Sequence, residues 1–147
     1  MTELRELSEQ NFDEIKELFR SVFSAPPWNE DWSDDARLSD YLLDLIKVRT
    51  PVDLGLYEDG RLVGISVGCI KHWCSGTEYY IEELFIRTDA QGRGLGTEFI
   101  RLIEHYLKAR DIRVIFLTTQ RTHPAYSFYK KLGFNDLDGF VALVKAF

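Results

Sequence analysis

The spacing of apolar residues along the chain changes part-way, from a helical period to a strand period. Phe12, Ile15, Leu18, Phe19, Val22 and Phe23 recur at steps of three and four behind two candidate N-caps, Ser8 and Asn11, which predicts an amphipathic helix. A short alternating stretch, Leu4 to Leu7, precedes it, and Pro26 and Pro27 end it. Beyond the polar loop WNEDWSDD, the residues Leu38, Tyr41, Leu42, Leu45 and Ile46 predict a second helix, closed by Pro51.

From residue 52 the period falls to two. Val52 to Tyr57 reads as a strand, Asp59-Gly60 as a hairpin turn, Leu62 to Ile70 as the returning strand, and Tyr79 to Arg87 as a third after a loop from Lys71 to Gly76. Three strands with short connections predict an antiparallel meander. Leu95, Phe99, Leu102, Ile103, Tyr106 and Leu107 then form a helical stripe. Ile112 to Thr119 reads as a buried strand, and Pro124 to Leu132 as a helix with Gly133 as its C-terminal cap. Phe134 to Asp136 and Phe140 to Phe147 are expected to close the fold as a strand pair around Asp138-Gly139. The expectation is one mixed α/β domain over residues 1–147, without repeats or linkers.

Composition narrows the function classes. The 147 residues carry 18 Lys plus Arg against 24 Asp plus Glu, a net charge of −6, with 45 % hydrophobic residues. That apolar content supports a packed core, and the acidic balance argues against generic nucleic-acid or anionic-membrane binding. No apolar run approaches the roughly 20 residues that span a bilayer, and MTELRELSEQ lacks the basic and apolar blocks of a signal peptide, so the cytoplasm is the expected location. Cys69 and Cys74, with His72 between them, are too few for a disulfide framework or a zinc site; no metal is expected.

The charge is unevenly spread. Eight basic against three acidic side chains give residues 91–131 a net +5, whereas six acidic residues and Arg37 give residues 28–44 a net −5. Inside the basic half, TDAQGRGLGT joins the third strand to its helix. Glycines there let backbone N–H groups converge on an anion at the positive end of the helix. A P-loop would need Gly-Lys-Ser/Thr, and a dinucleotide fingerprint counted from Gly92 would need glycine where Thr97 stands. Arg93 and Thr97 add a cation and a hydroxyl suited to phosphate.

QGRGLG, with EELFI before it and PAYSFYKKLGF some thirty residues after it, resembles the two central motifs of the GNAT N-acetyltransferase superfamily. The predicted order of elements matches that fold from end to end. The resemblance implies a central sheet, mainly antiparallel, with helices on both faces. It implies acetyl-CoA as co-substrate, its pyrophosphate on the turn Gln91, Gly92, Arg93, Gly94, Gly96 and Thr97, and its pantetheine arm along the backbone of Phe85 and Ile86. It also implies a bulge in that strand, opening a slot for the thioester.

Two catalytic residues follow from the same resemblance. Tyr129 matches a tyrosine that often protonates the departing CoA thiolate, and Glu82 matches a strand position where a carboxylate in several members receives the amine proton. Simple alternation sets Glu82 on the face of Tyr80 and Leu84 and Glu83 on the other with Phe85, so Glu82 is preferred and Glu83 held in reserve. One departure is Thr122, which stands where many relatives carry an Asn that contacts the CoA arm.

An amine of pKa near 10.4 costs about 4.6 kcal/mol to deprotonate at pH 7, so a carboxylate base has a task. A phenol near 10 is a weaker acid than a thiol near 8.5, by about 2 kcal/mol. Either cations such as Lys130 or Arg93 lower the Tyr129 pKa, or Tyr129 chiefly donates a hydrogen bond to sulfur. Cys74 with His72 is the alternative covalent nucleophile, if their loop faces the cofactor.

The acidic segment around Trp28 and Trp32 sits where GNAT relatives commonly build the acceptor pocket, and aromatic rings with carboxylates suit a cationic amine. RTHPAYSFYKKLGF resembles some aminoglycoside N-acetyltransferases and their relatives, which makes a small cationic amine the first expected acceptor and a peptide or protein amine the second. A non-catalytic acyl-CoA sensor module is the alternative from another class. Exposed residues of the closing strands, such as Phe147, leave a homodimer open.

Overall fold

A computed structural model describes all 147 residues. Strand β1 (Thr2–Glu6) leads through a 3-10 turn (Glu9–Asn11) into helix α1 (Phe12–Phe23), then α2 (Asp35–Ile46). The meander follows as β2 (Pro51–Glu58), β3 (Arg61–Trp73) and β4 (Gly76–Ile86), then α3 (Leu95–Lys108), β5 (Val114–Phe116) and α4 (Pro124–Lys131). Strands lie in chain order in one five-stranded sheet, antiparallel except that β5 runs parallel to β4.

Helices cover both faces. On one, α1 and α2 bury Ile15, Leu18, Phe19, Leu38 and Leu42 against Ile65, Val67 and Phe85 of the sheet. On the other, α3 packs Phe99, Ile103 and Leu107 against Leu54, Leu56, Val63, Tyr79 and Ile81. A sheet covered on both faces explains why Asp53 to Tyr57 in β2 and Leu62 to Gly68 in β3 are buried without interruption.

Local chemistry explains the element ends. Ser8 and Asn11 cap reciprocally, but around the 3-10 turn: the Ser8 hydroxyl accepts from the Gln10 amide and the Asn11 side chain accepts from the Ser8 amide. Asp34 caps α2 through the Arg37 amide. Asp59 (φ 49°) and Gly60 (φ 82°) both adopt the positive φ of a tight hairpin turn. The expected loop 71–76 is shorter, because Lys71, His72 and Trp73 pair with Glu78, Thr77 and Gly76.

Register breaks once in the β3–β4 pairing. Val67 faces Glu83 and Gly68 faces Ile81, so Glu82 is one residue too many on β4 and forms the expected bulge. A side chain on Gly68 would put its Cβ 2.0 Å from the Tyr80 carbonyl oxygen, so this close approach needs glycine. The bulge overturns the expected sharing of a face by Tyr80, Glu82 and Leu84. Beyond it Leu84 and Ile86 join Tyr79 and Ile81 on the α3 side, while Phe85 turns toward α1 and α2.

The closing strand pair does not form. Residues 134–147 hold no strand, and β5 pairs with β4 only over Glu78–Tyr80, far less than the expected Ile112–Thr119. The reason lies in the turn. Asp138 and Gly139 have no positive φ, unlike Asp59 and Gly60, so the same dipeptide does not set up a hairpin here.

Candidate active site

Strands β4 and β5 part immediately before the bulge, since their last paired residues are Tyr80 and Phe116. A cavity of about 410 Å³ opens in the gap. Ile81 to Leu84 form one wall, Leu117 to Gln120 the facing wall, and Tyr129 of α4 closes one side. Phe23, Trp28, Glu30 and Tyr41 reach in from the first two helices and the loop between them.

Glu83 is the half-buried acid of this cavity. Its Oε1 accepts a hydrogen bond from the Tyr41 hydroxyl at 2.8 Å. Burial pushes its pKa up to about 7, against the opposing effect of the Tyr41 hydrogen bond, and the nearby charges of Glu30 and Glu82 add to the rise. Glu82, the bulge residue, lines the same cavity but is exposed. The bulge therefore brings two consecutive carboxyl groups to one cavity, which unbroken alternation would have kept on opposite faces.

Tyr129 is 8 % exposed, with its ring against Phe128 and Phe134. Burial raises its pKa to about 12, and the charge of Glu83 pushes the same way. The expected acidifying cations are engaged elsewhere: Lys130 bonds Asp136 at 3.1 Å, and Arg93 grips Glu58 at 2.9 and 3.2 Å.

The tryptophans divide. Trp28 lines the cavity, with its ring edge-to-face on His123 at 4.7 Å. Trp32 lies behind it, stacked on Tyr41 at 5.4 Å, and donates from Nε1 to Glu30 at 2.8 Å. His72 and Cys74 lie exposed at the β3–β4 turn, outside the cavity lining.

The glycine-rich turn carries Gly92 (φ 77°) and Gly94 (φ 78°) into the start of α3, where Gly94 supplies no side-chain cap. The first amides of that helix lack partners within the helix and suit an anion. Gln91 donates to the Ile86 carbonyl at 3.0 Å, tying the turn to the end of β4. Gly96 serves packing as well, since a Cβ there would lie 3.0 Å from the Phe128 ring. Thr97 is exposed in the first turn of α3. The Phe85 side chain is buried against Phe19 and Phe23.

Comparison with known proteins decides the family. A sequence model of the Acetyltransferase (GNAT) family matches residues 12–134. The chain belongs to this family. An uncharacterized N-acetyltransferase of Methanocaldococcus jannaschii is 35 % identical over 95 residues, a match covering 59 % of this chain and 42 % of the relative, so the matched part is less than half of that protein. Among solved structures, the aminoglycoside acetyltransferase AAC(6')-Iy, in complex with a bisubstrate analogue, superposes with a TM-score of 0.72 at 16 % identity over 99 % of both chains. A ribosomal-protein-alanine N-acetyltransferase of Brucella melitensis superposes with a TM-score of 0.75 at 18 % identity, over 100 % of this chain and 99 % of that one. Both likenesses show the GNAT fold.

In this GNAT chain the sequence pointed to Glu82, Glu83, Trp28 and Tyr129, and these line one cavity. It reached Glu30 only as one of several carboxylates of the acidic segment, and it missed Tyr41, Thr118 and Thr119. Tyr41 was absorbed into the apolar stripe of α2, although a tyrosine on such a stripe brings a hydroxyl that needs a partner. The two threonines sat in an apparent buried strand, whose departure from β4 has no local signal.

Proposed function

We propose that this domain transfers an acetyl group from acetyl-CoA to a primary amine by direct attack within a ternary complex. The observation that carries the reading is the convergence of Glu83 and Tyr129 on one cavity at the point where β4 and β5 part. Acetyl-CoA supplies an acyl thioester as the activated group. The Gln91–Thr97 turn suits its pyrophosphate, and the edge of β4 past the bulge, which no strand pairs beyond Tyr80, suits its amide-bearing arm.

Glu83 receives the proton that the amine must lose. A carboxyl titrating near 7 is better matched to this task than an ordinary one. Glu82 and Glu30 add negative charge that attracts the incoming ammonium, and Trp28 offers a ring face to it. As the new C–N bond forms and the C–S bond breaks, negative charge builds on sulfur. Proton transfer to a thiolate of conjugate pKa near 8.5 from Tyr129, at about 12, is uphill by roughly 5 kcal/mol. Tyr129 therefore stabilises that sulfur by donating a hydrogen bond, and solvent or buffer completes the protonation.

Three carboxyl groups and an aromatic ring in one small cavity favour a cationic small-molecule amine as acceptor. A peptide amine is the second reading, favoured by the likeness to a ribosomal-protein-alanine acetyltransferase, which is as close in fold as the aminoglycoside enzyme. Thiol release from acetyl-CoA, measured over aminoglycosides, polyamines, amino acids and peptides, tests both. Release confined to polycationic small molecules is expected. Acetyl-CoA binding without release for any amine would leave a sensor module instead.

A further inference from the structure

Helix α2 sends one hydroxyl into the reaction cavity. Tyr41 lies on the apolar stripe of α2 with Leu38, Leu42 and Leu45, yet its hydroxyl donates to Glu83 Oε1 at 2.8 Å, 42 residues further along the chain. Packing alone needs no hydroxyl there.

The Tyr41 ring is held from behind. Trp32 stacks on it at 5.4 Å with planes 25° apart, and Phe19 packs on both rings, 5.5 Å from Trp32 and 5.9 Å from Tyr41. Trp32 is itself fixed at two points. Its indole N–H donates to Glu30 Oε1 at 2.8 Å, and its carbonyl accepts from Arg20 Nε at 3.3 Å. One aromatic ring thus supports two carboxyl groups of the cavity, Glu30 directly and Glu83 through Tyr41.

The cavity gives Glu83 no other help in staying ionised. The titratable groups that face it are Glu82 on its own strand, Glu30 from the loop before α2, Tyr41 from α2 and Tyr129 from α4, and no Lys, Arg or His lines the cavity. Burial and the two neighbouring carboxylates oppose the charge, and the Tyr41 hydrogen bond alone favours it. Burial and the charge of Glu83 push the Tyr41 phenol well above its ordinary range, so it remains a donor. With Oε1 engaged, Oε2 is the oxygen left to accept a proton.

Taking Glu83 as the proton acceptor, the reading on which this inference rests, we propose that Tyr41 is its positioning residue and Trp32 the support behind it. The hydroxyl fixes the carboxyl through Oε1, keeps it in the form that can accept, and leaves Oε2 to the amine. Trp32 acts through Tyr41 and Glu30, not by touching the acceptor.

NMR of protein isotopically labelled at the glutamate side chains reads the Glu83 carboxyl without any turnover, its resonance assigned by its loss in Glu83→Gln. Tyr41→Phe keeps the ring and deletes the hydroxyl, and the Glu83 midpoint is expected to rise from about 7 by about one pH unit. Trp32→Ala should raise it too. Trp32→Phe, which puts a ring back behind Tyr41, should bring the midpoint down again, although both variants lose the bond to Glu30. In steady state, the kcat/KM profile of Tyr41→Phe should shift with the carboxyl, losing about fivefold at pH 7 and recovering by about pH 9. A Glu83 midpoint unchanged or lowered in Tyr41→Phe would overturn the proposal whatever the domain acetylates, and one unmoved by Trp32→Ala would remove Trp32 from it. A raised midpoint with an unshifted kcat/KM profile would instead strike Glu83 as the proton acceptor, and Tyr41 with it.

Discussion

At the scale of single residues, the contest between Glu82 and Glu83 turns on one extra position in β4. Sequence alternation favoured Glu82, and it was a sound reading of an unbroken strand. The bulge makes Glu82 the extra residue and leaves Glu83 half-buried against the Tyr41 hydroxyl, while Glu82 stays exposed beside the same cavity. Glu83→Gln is therefore expected to lower kcat by 10²-fold or more, the usual contribution of a positioned base, with acetyl-CoA affinity from calorimetry unchanged. Glu82→Gln should act mainly on the KM for a cationic amine. Equal losses in the two variants would count against the assignment. Because the base must be ionised, kcat/KM in the wild type should rise with pH through about 7, where Glu83 titrates. Asp53, 5 % exposed with Oδ1 unpartnered, gives a parallel prediction for stability. Burial raises its pKa to about 7, above the unfolded value, so the neutral carboxyl favours the folded state and that advantage fades as pH rises through 7. Asp53→Asn should flatten the decline in Tm between pH 5 and pH 8; an unchanged slope would mean that Asp53 does not titrate there.

Among elements, the legible ones were those whose signal is local. Helices α1, α2 and α3 follow from apolar stripes, and the β2–β3 hairpin from Asp-Gly between alternating runs. The two Asp-Gly dipeptides show the limit. At 59–60 both residues take positive φ between paired strands, whereas at 138–139 neither does and no hairpin forms. The bulge and the parting of β5 from β4 were equally hidden, since both depend on what the neighbouring strand does. Gly68 is the residue on which the bulge rests. Gly68→Ala would drive a Cβ to 2.0 Å from the Tyr80 carbonyl oxygen, a backbone clash that side-chain motion cannot relieve. Urea unfolding should show a loss of 1–3 kcal/mol, on the scale of overpacking, together with reduced activity as Glu82 and Glu83 shift. Gly60→Ala serves as a control, since its added methyl meets nothing and costs only the strain of positive φ.

Across the whole molecule, the charge halves seen in the sequence do not survive as two free fields. In the acidic segment, Asp35 bonds Lys16 at 2.6 Å and Arg20 at 2.5 Å, Asp34 caps α2, and Glu30 alone of the group lines the cavity. In the basic half, Arg110 reaches Glu6, Arg121 and Lys130 share Asp136, and Arg93 is held by both oxygens of Glu58. Summed charge cannot show this, because the partners lie far apart in the chain. The Arg93–Glu58 pair matters most, as it ties the glycine-rich turn to the end of β2. In the proposed complex, pyrophosphate would compete with the Glu58 carboxylate for this one guanidinium, since a bidentate partner on each side cannot be satisfied at once. Glu58→Gln should therefore free Arg93 and tighten CoA binding several-fold in calorimetry, with a steeper loss of affinity as salt is raised, since a more exposed cation is more readily screened. Arg93→Gln should weaken CoA and abolish the effect of Glu58→Gln in the double variant. If Glu58→Gln instead weakens CoA, the carboxylate acts as the support that aims Arg93 at the ligand.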